Sequence, residues 1–182
     1  MAHYVDTSAL TKLVVAEAES TALRDWLASA DRAPVSCDLA RTELLRAVRR
    51  VASDRMVQAR EVLDSLVLLQ VTTDTFEAAA HLDPTVLRTL DAIHIAAALT
   101  LGDELEGIVA YDERLTHAAT ALGIRVVAPG SRGPAFSDSG RVATDCGLRS
   151  RAWVSTTPRP STQRIGNAWR TRSGAFVRRA IG

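Results

Sequence analysis

Four acidic side chains stand where a folded chain could gather them. Asp6 follows the short run Ala-His-Tyr-Val, and Glu43 lies within Arg41-Thr-Glu43-Leu-Leu. Asp91 lies within Leu90-Asp91-Ala-Ile-His-Ile-Ala-Ala97, and Asp112 follows Gly107-Ile-Val-Ala-Tyr111. Carboxylates brought together repel one another and resist burial unless a cation neutralises them. All-oxygen ligation suits a hard divalent ion, Mg²⁺ or Mn²⁺, rather than zinc. Such an ion lowers the pKa of a bound water and stabilises the leaving oxygen of a phosphodiester. That chemistry needs no nucleophilic side chain, and none stands out here.

Each acid also has a plainer reading. Asp6, Asp91 and Asp112 sit where they could cap helices, and Glu43 could be a solvated acid or a partner of Arg46. Spacing alone does not choose between the readings. A shared position at one edge of a sheet favours the functional one.

The elements that must position these acids alternate along the chain. Residues 2–6 read as a strand, after which Thr7 or Ser8 can cap a helix carrying Leu10, Leu13, Val14 and Val15. A second amphipathic helix starts near Ser20. Pro34 to Cys37 reads as a buried strand, followed by a helix with Asp38 as its N-cap. Ser53 is expected to cap the next helix, and Val67 to Val71 forms a strand. Asp74 is expected to cap a helix over Thr75–Leu82, which Asp83-Pro84 ends. An Ala-rich helix runs from Leu90 to Leu101 and stops at Gly102. Gly107 to Tyr111 is a strand, Asp112 to Leu122 a helix closed by Gly123, and Ile124 to Val127 the last strand. Strands alternating with helices predict an α/β domain with a parallel sheet covered on both faces. In such sheets ligands bind beyond the carboxyl ends of the strands, where Asp6 and Asp112 fall.

Composition sets the frame. Across 182 residues, 47% apolar and 24% charged fit an ordinary globular protein, while 4% aromatics leave Val, Leu, Ile and Ala to fill the core. The net charge of +1 hides a division. Residues 1–130 carry 12 basic and 19 acidic side chains, whereas 131–182 carry 10 arginines and 2 aspartates. Two segments follow: a folded domain over 1–130, and a basic Arg/Ser/Gly-rich tail over 131–182 that is expected to be disordered. Cys37 and Cys146 show no metal-ligand spacing. The opening Met-Ala-His-Tyr-Val-Asp lacks a signal peptide's pattern, and the apolar run from Ile93 to Leu101 is too short for a bilayer. A cytoplasmic protein with no membrane partner is the expectation.

The stretches Tyr4-Val-Asp6-Thr-Ser-Ala-Leu10, Arg41-Thr-Glu43-Leu-Leu, Leu90-Asp91-Ala-Ile-His-Ile-Ala-Ala97 and Ala110-Tyr-Asp112-Glu-Arg-Leu115 together resemble the PIN-domain family. More narrowly, they resemble the VapC-type toxins of type II toxin–antitoxin systems. The likeness runs from residue 2 to about 128, with all four motifs in order. It implies a PIN-like three-layer sandwich with a central, mostly parallel sheet. It further implies a Mg²⁺-dependent endoribonuclease (Mn²⁺ being the other candidate), a homodimer, and neutralisation by a cognate VapB-type antitoxin. The family's acids map onto Asp6, Glu43, Asp91 and Asp112 as catalytic and metal-holding residues, and its supporting hydroxyl onto Thr7 or Ser8. One departure is Ala110, where relatives often carry a polar residue, and it bears on a second metal ion.

Other residues have weaker claims. His94, one turn after Asp91, is first a helix-packing residue and second a site residue. His81 and His117 have no evident partners. Lys12 could meet a phosphate or pair with Glu17, and Arg41, Arg46, Arg49 and Arg50 could meet RNA or merely solvate their helix. Two rival functions use the same pattern: a catalytically inert PIN-like interaction module, and a receiver-like phosphotransfer domain. The second needs an acid pair after the first strand and a late strand-end Lys, yet the sole lysine is Lys12.

Overall fold

The computed structural model describes residues 1–29 and 32–131. The proposed tail from residue 132 onward lies outside the described residues, as does Cys146.

Five strands, β1 (Ala2–Val5), β2 (Ala33–Cys37), β3 (Val67–Leu69), β4 (Leu105–Val109) and β5 (Val126–Val127), form one sheet in the order β3-β2-β1-β4-β5. Every pairing is parallel. Seven helices connect them: α1 (Thr7–Val14), α2 (Ser20–Ala28), α3 (Leu39–Val51), α4 (Met56–Asp64), α5 (Thr73–Ala80), α6 (Thr89–Leu99) and α7 (Glu113–Ala121).

The strands are short and nearly all apolar because both faces are covered. Val5 and Val109 face one layer, where Leu10, Leu13 and Val14 of α1, Leu23 and Leu27 of α2, Leu44 and Val48 of α3, and Val62 and Leu63 of α4 close over them. Tyr4 and Ile108 face the other, packed against Ile95 and Ala98 of α6 and Leu115 and Ala119 of α7, with α5 against α6. The result is a three-layer α/β sandwich whose sheet is wholly parallel.

Chain reversal occurs beside β1. β2 and β3 step away from β1 on one side, and β4 and β5 continue on the other. A switch of this kind opens a crevice beyond the carboxyl ends of the two strands that diverge, here β1 and β4. A backbone bond from Asp6 N–H to the Val109 carbonyl, 3.0 Å, holds those two ends together. Gly107 allows the close approach of the last segment to β4, since a Cβ there would stand 2.8 Å from the Arg125 carbonyl oxygen. Gly123, at φ +74°, turns the chain out of α7 in a conformation glycine adopts at little cost.

Several caps differ from expectation. Asp6 itself caps α1, so Thr7 and Ser8 lie inside its first turn. Asp38 holds the N-cap place of α3 in helical geometry (φ −58°, ψ −26°), so its side chain makes no capping bond. Ser53 opens a 3₁₀ turn over Ser53–Arg55 rather than capping α4. Thr72, not Asp74, caps α5, in an extended conformation that lets its hydroxyl accept from Thr75 N–H. β3 stops at Leu69 instead of reaching Val71, and β5 holds only Val126 and Val127. β4 begins two residues before Gly107 and ends at Val109, because the Tyr111 N–H turns to Ser8 Oγ instead of a neighbouring strand.

Candidate active site

Ser8 joins the two sides of the crevice. Its hydroxyl donates to Asp6 Oδ2 at 2.6 Å and accepts from Tyr111 N–H at 2.9 Å and Asp112 N–H at 3.3 Å. The same Asp6 oxygen receives the Ser8 N–H at 2.9 Å. Asp6 is therefore buried, only 6% exposed, and fixed by its own helix. Ser8 thus bonds a carboxylate from within the helix instead of capping it.

Asp112 sits beyond β4 as the N-cap of α7, its Oδ1 accepting from Arg114 N–H at 2.9 Å and Leu115 N–H at 3.1 Å. The capping reading of Asp112 is thus correct as far as that oxygen goes. Asp91 is different. Arg88 takes the N-cap place of α6, which leaves Asp91 in the first turn with no capping role. Among the described residues its side chain has no hydrogen-bond or ion-pair partner. Burial first, then the charges of Asp112 and Asp6, push its carboxyl above the ordinary value, against weaker pulls from Arg88 and His94.

Glu43 has the opposite surroundings. Its Oε2 accepts from Thr7 Oγ1 at 2.6 Å and from His94 Nε2 at 2.7 Å. Burial alone would raise this carboxyl, but hydrogen bonds from His94 and Thr7 and the His94 charge carry it below its usual value. His94, 2% exposed, meets the Tyr4 hydroxyl at 2.7 Å and the Cys37 thiol at 3.7 Å through Nδ1. Although burial opposes its charge, hydrogen bonds with Cys37 and Glu43 hold it up to about 10. His94 thus packs its helix and reaches the site at once. The linkage of Tyr4 and Cys37 to that ring left no trace in local spacing.

The four acids line one edge of the sheet in two groups. Asp91 feels the charges of Asp112 and Asp6, whereas Glu43 is held by Thr7 and His94. Among the described residues, no three His, Cys, Asp or Glu side chains converge closely enough to hold a metal ion. The chemistry of the donor set nonetheless fits one. Three aspartates without an ion-pair partner among the described residues, one of them also without a hydrogen bond there, are the oxygen donors a hard cation takes.

Of the remaining candidates, Lys12 pairs with Glu17 at 2.5 Å and Glu19 at 2.9 Å, so the ion-pair reading is the right one. Arg41, Arg46, Arg49 and Arg50 are exposed on α3 and, among the described residues, form no ion pair. Among the described residues the His81 ring bonds only the Glu77 carbonyl of the preceding turn, 2.8 Å away.

The model of the PIN domain family matches residues 3–121. Ribonuclease VapC47 of Mycobacterium tuberculosis is 39% identical over 132 residues, covering 70% of this chain and 97% of that protein. Ribonuclease VapC46 of the same organism is 44% identical over 127 residues, 69% of this chain and 96% of that protein. Among solved structures, Mycobacterium tuberculosis VapC20, a sarcin–ricin loop cleaving toxin, superposes with a TM-score of 0.56. That match covers 70% of this chain and 99% of the other at 20% identity, a likeness of fold. By family model and by identity across nearly the whole length of these relatives, the chain belongs to the PIN-domain family, in its branch of VapC ribonucleases.

Proposed function

We propose that this chain is an endoribonuclease that hydrolyses RNA phosphodiester bonds with a hard divalent cation, Mg²⁺ or Mn²⁺, held in the crevice between β1 and β4. The observation that carries the reading is Asp91. It stands in the first turn of a buried helix, without a partner among the described residues, raised by the charges of two other aspartates at a topological switch. A first-turn acid suits the helix dipole, but the dipole does not account for two further aspartates beside it, and perturbed acids in clefts mark functional sites. RNA as the substrate rests on the relatives named ribonucleases.

Asp6, Asp91 and Asp112 would hold the cation, with Glu43 as the fourth acid of the site. When bound, the cation supplies the charge that polarises the phosphodiester and acidifies a water molecule. The chain's own residues do the rest. Ser8 fixes Asp6 and ties it to the loop before Asp112. The capping bonds of Asp112 Oδ1 keep that carboxylate from swinging away. Thr7 and His94 orient Glu43. Exposed arginines on α3, beside Glu43, attract phosphates without reading bases. Residues 1–130 form the nuclease domain, and the arginine-rich segment over 131–182 adds salt-sensitive RNA affinity.

Likeness to VapC toxins extends the proposal to a homodimer in the cytoplasm, restrained by a VapB-type antitoxin. Among the described residues no helix is long and apolar enough to cross a membrane.

The full chain, freed of any partner, is expected to cleave RNA with Mg²⁺ or Mn²⁺ and to stop with a chelator. Asp6→Asn and Asp91→Asn, each folded by circular dichroism, should lose about 100-fold or more, the scale on which one preorganised charge contact acts. Cleavage at the wild-type rate by both variants would overturn the assignment of these acids, and no cleavage by the wild type with either ion would return the chain to the reading of an inert interaction module.

A further inference from the structure

His94 gathers four elements on one buried ring. It lies on α6, one turn after Asp91, and touches Glu43 of α3, Tyr4 of β1 and Cys37 at the end of β2. These partners stand 51, 90 and 57 residues away in sequence, so no local geometry forces the arrangement. A buried imidazole has two ring nitrogens to satisfy. This one uses both nitrogens in bonds of 2.7 Å, and one of those goes to a site acid.

The bonding pattern fixes the proton. An ionised carboxylate can only accept, so Nε2 carries the hydrogen toward Glu43 Oε2. Nδ1 then either accepts from the Tyr4 hydroxyl or, in the charged ring, donates to it. In both forms the Tyr4 oxygen sets the ring plane, and a flipped ring would lose both bonds. Thr7 Oγ1 grips the same Glu43 oxygen from α1, directly after Asp6. Glu43 Oε2 is thereby tied to the two helices that carry Asp6 and Asp91. Among the described residues no hydrogen bond reaches Oε1, which leaves that oxygen for the crevice.

We propose that His94 is a positioning residue for RNA cleavage, holding Glu43 in its working rotamer through Nε2, with Tyr4 as the anchor that fixes the imidazole. The proposal rests on the nuclease reading above. Outer partners that orient an active-site carboxylate act through it, and removing them leaves the substrate's grip on the rest of the surface intact.

The test is a double-mutant cycle on the full chain, with RNA as substrate, Mn²⁺ as the ion, and rates expressed per folded molecule. His94→Leu should lower kcat by about 10- to 100-fold with KM for RNA unchanged, the range found for groups that orient ligands. His94→Gln, which keeps an N–H donor, should recover part of that loss. In a Glu43→Gln background His94→Leu should cost nothing further, because its only route of action has gone. Should His94→Leu fail to fold, Tyr4→Phe removes a single hydroxyl and gives the same pattern at smaller size. A readout independent of turnover is the imidazole ¹⁵N–¹H spectrum of the metal-free protein, where the protected Nε2–H resonance of His94 should shift in Glu43→Gln.

Wild-type kcat in His94→Leu or in Tyr4→Phe overturns the proposal, as does a loss that adds fully to that of Glu43→Gln. Asp6→Asn separates the two levels. If it is inactive while the His94 and Tyr4 variants cleave normally, only the positioning role falls. If it cleaves normally, the assignment of the site acids fails and takes the positioning role with it.

Discussion

Glu43 and Asp91 reach the same crevice from helices on opposite faces of the sheet, and the chain treats them in opposite ways. Glu43 is surrounded by donors, Thr7 and His94, whose combined pull overcomes burial and keeps its carboxyl below the usual value. Asp91 meets burial and two like charges, with no donor among the described residues, and its carboxyl is pushed up. Both are acids on helices, yet one is stabilised within the fold while the other raises the energy of the metal-free protein. The difference separates the part of the site that the protein completes alone from the part that awaits a cation.

Adding metal tests the contrast most strongly. A cation that binds only the folded state adds about 2.7 kcal/mol of stability when free metal reaches one hundred times its dissociation constant. Mn²⁺ should therefore raise the Tm of the wild type at fixed ionic strength. Asp91→Asn should melt above the wild type without metal and gain less from it, whereas Glu43→Gln should melt below the wild type without metal. An undiminished metal response in Asp91→Asn would remove the contrast.

Ser8→Ala probes the scaffold of the open side. It takes the donor from Asp6 and the acceptor from the N–H groups of Tyr111 and Asp112. The site is half-buried, so the cost falls at the low end for unsatisfied groups, about 1 kcal/mol and a few degrees in Tm. An unchanged Tm would show that the hydroxyl bridges nothing of consequence.

Acid titration of the metal-free protein gives the smallest and most specific signal. Glu43 is depressed in the fold, so its contribution is present above its unfolded value near 4.5 and is lost as pH falls through the folded one. The penalty of Glu43→Gln should shrink in that acid range. Asp91 is elevated, so its cost is present at neutral pH and is relieved as pH falls through its folded value, above 3.8. The advantage of Asp91→Asn should disappear on acidification. Melting curves between neutrality and acid pH that moved in the same direction for both variants would break the comparison.

The sheet was legible because strand and helix patterns alternate without a break, and β1, β2 and β4 fall within two residues of where the apolar runs place them. Caps were less legible. Asp38, Ser53 and Asp74 have capping chemistry, but backbone dihedrals decide which side chain turns back, and a residue type does not encode them. In the site, Asp6 and Asp112 could be found because strand ends are visible in a sequence. Thr7 to Glu43 and Tyr4 to His94 could not, since partners 36 and 90 residues apart leave no spacing to read. Tyr4 gave the one available hint, two residues before Asp6 and so on the same face of the strand.

The first strand made is the one most deeply enclosed. β1 pairs with β2 on one side and with β4 on the other, so its second neighbour arrives only when residues 105–109 have been synthesised. At roughly 5–20 residues per second, translation takes on the order of ten seconds to reach that point. Until then Asp6 has no Val109 carbonyl to bond and Ser8 has no Tyr111 N–H to accept from. A fold built only from such distant pairings closes late and slowly. The strand order therefore acts as a timer on the ribosome: an unfinished chain holds its first acid long before it can assemble a site around it.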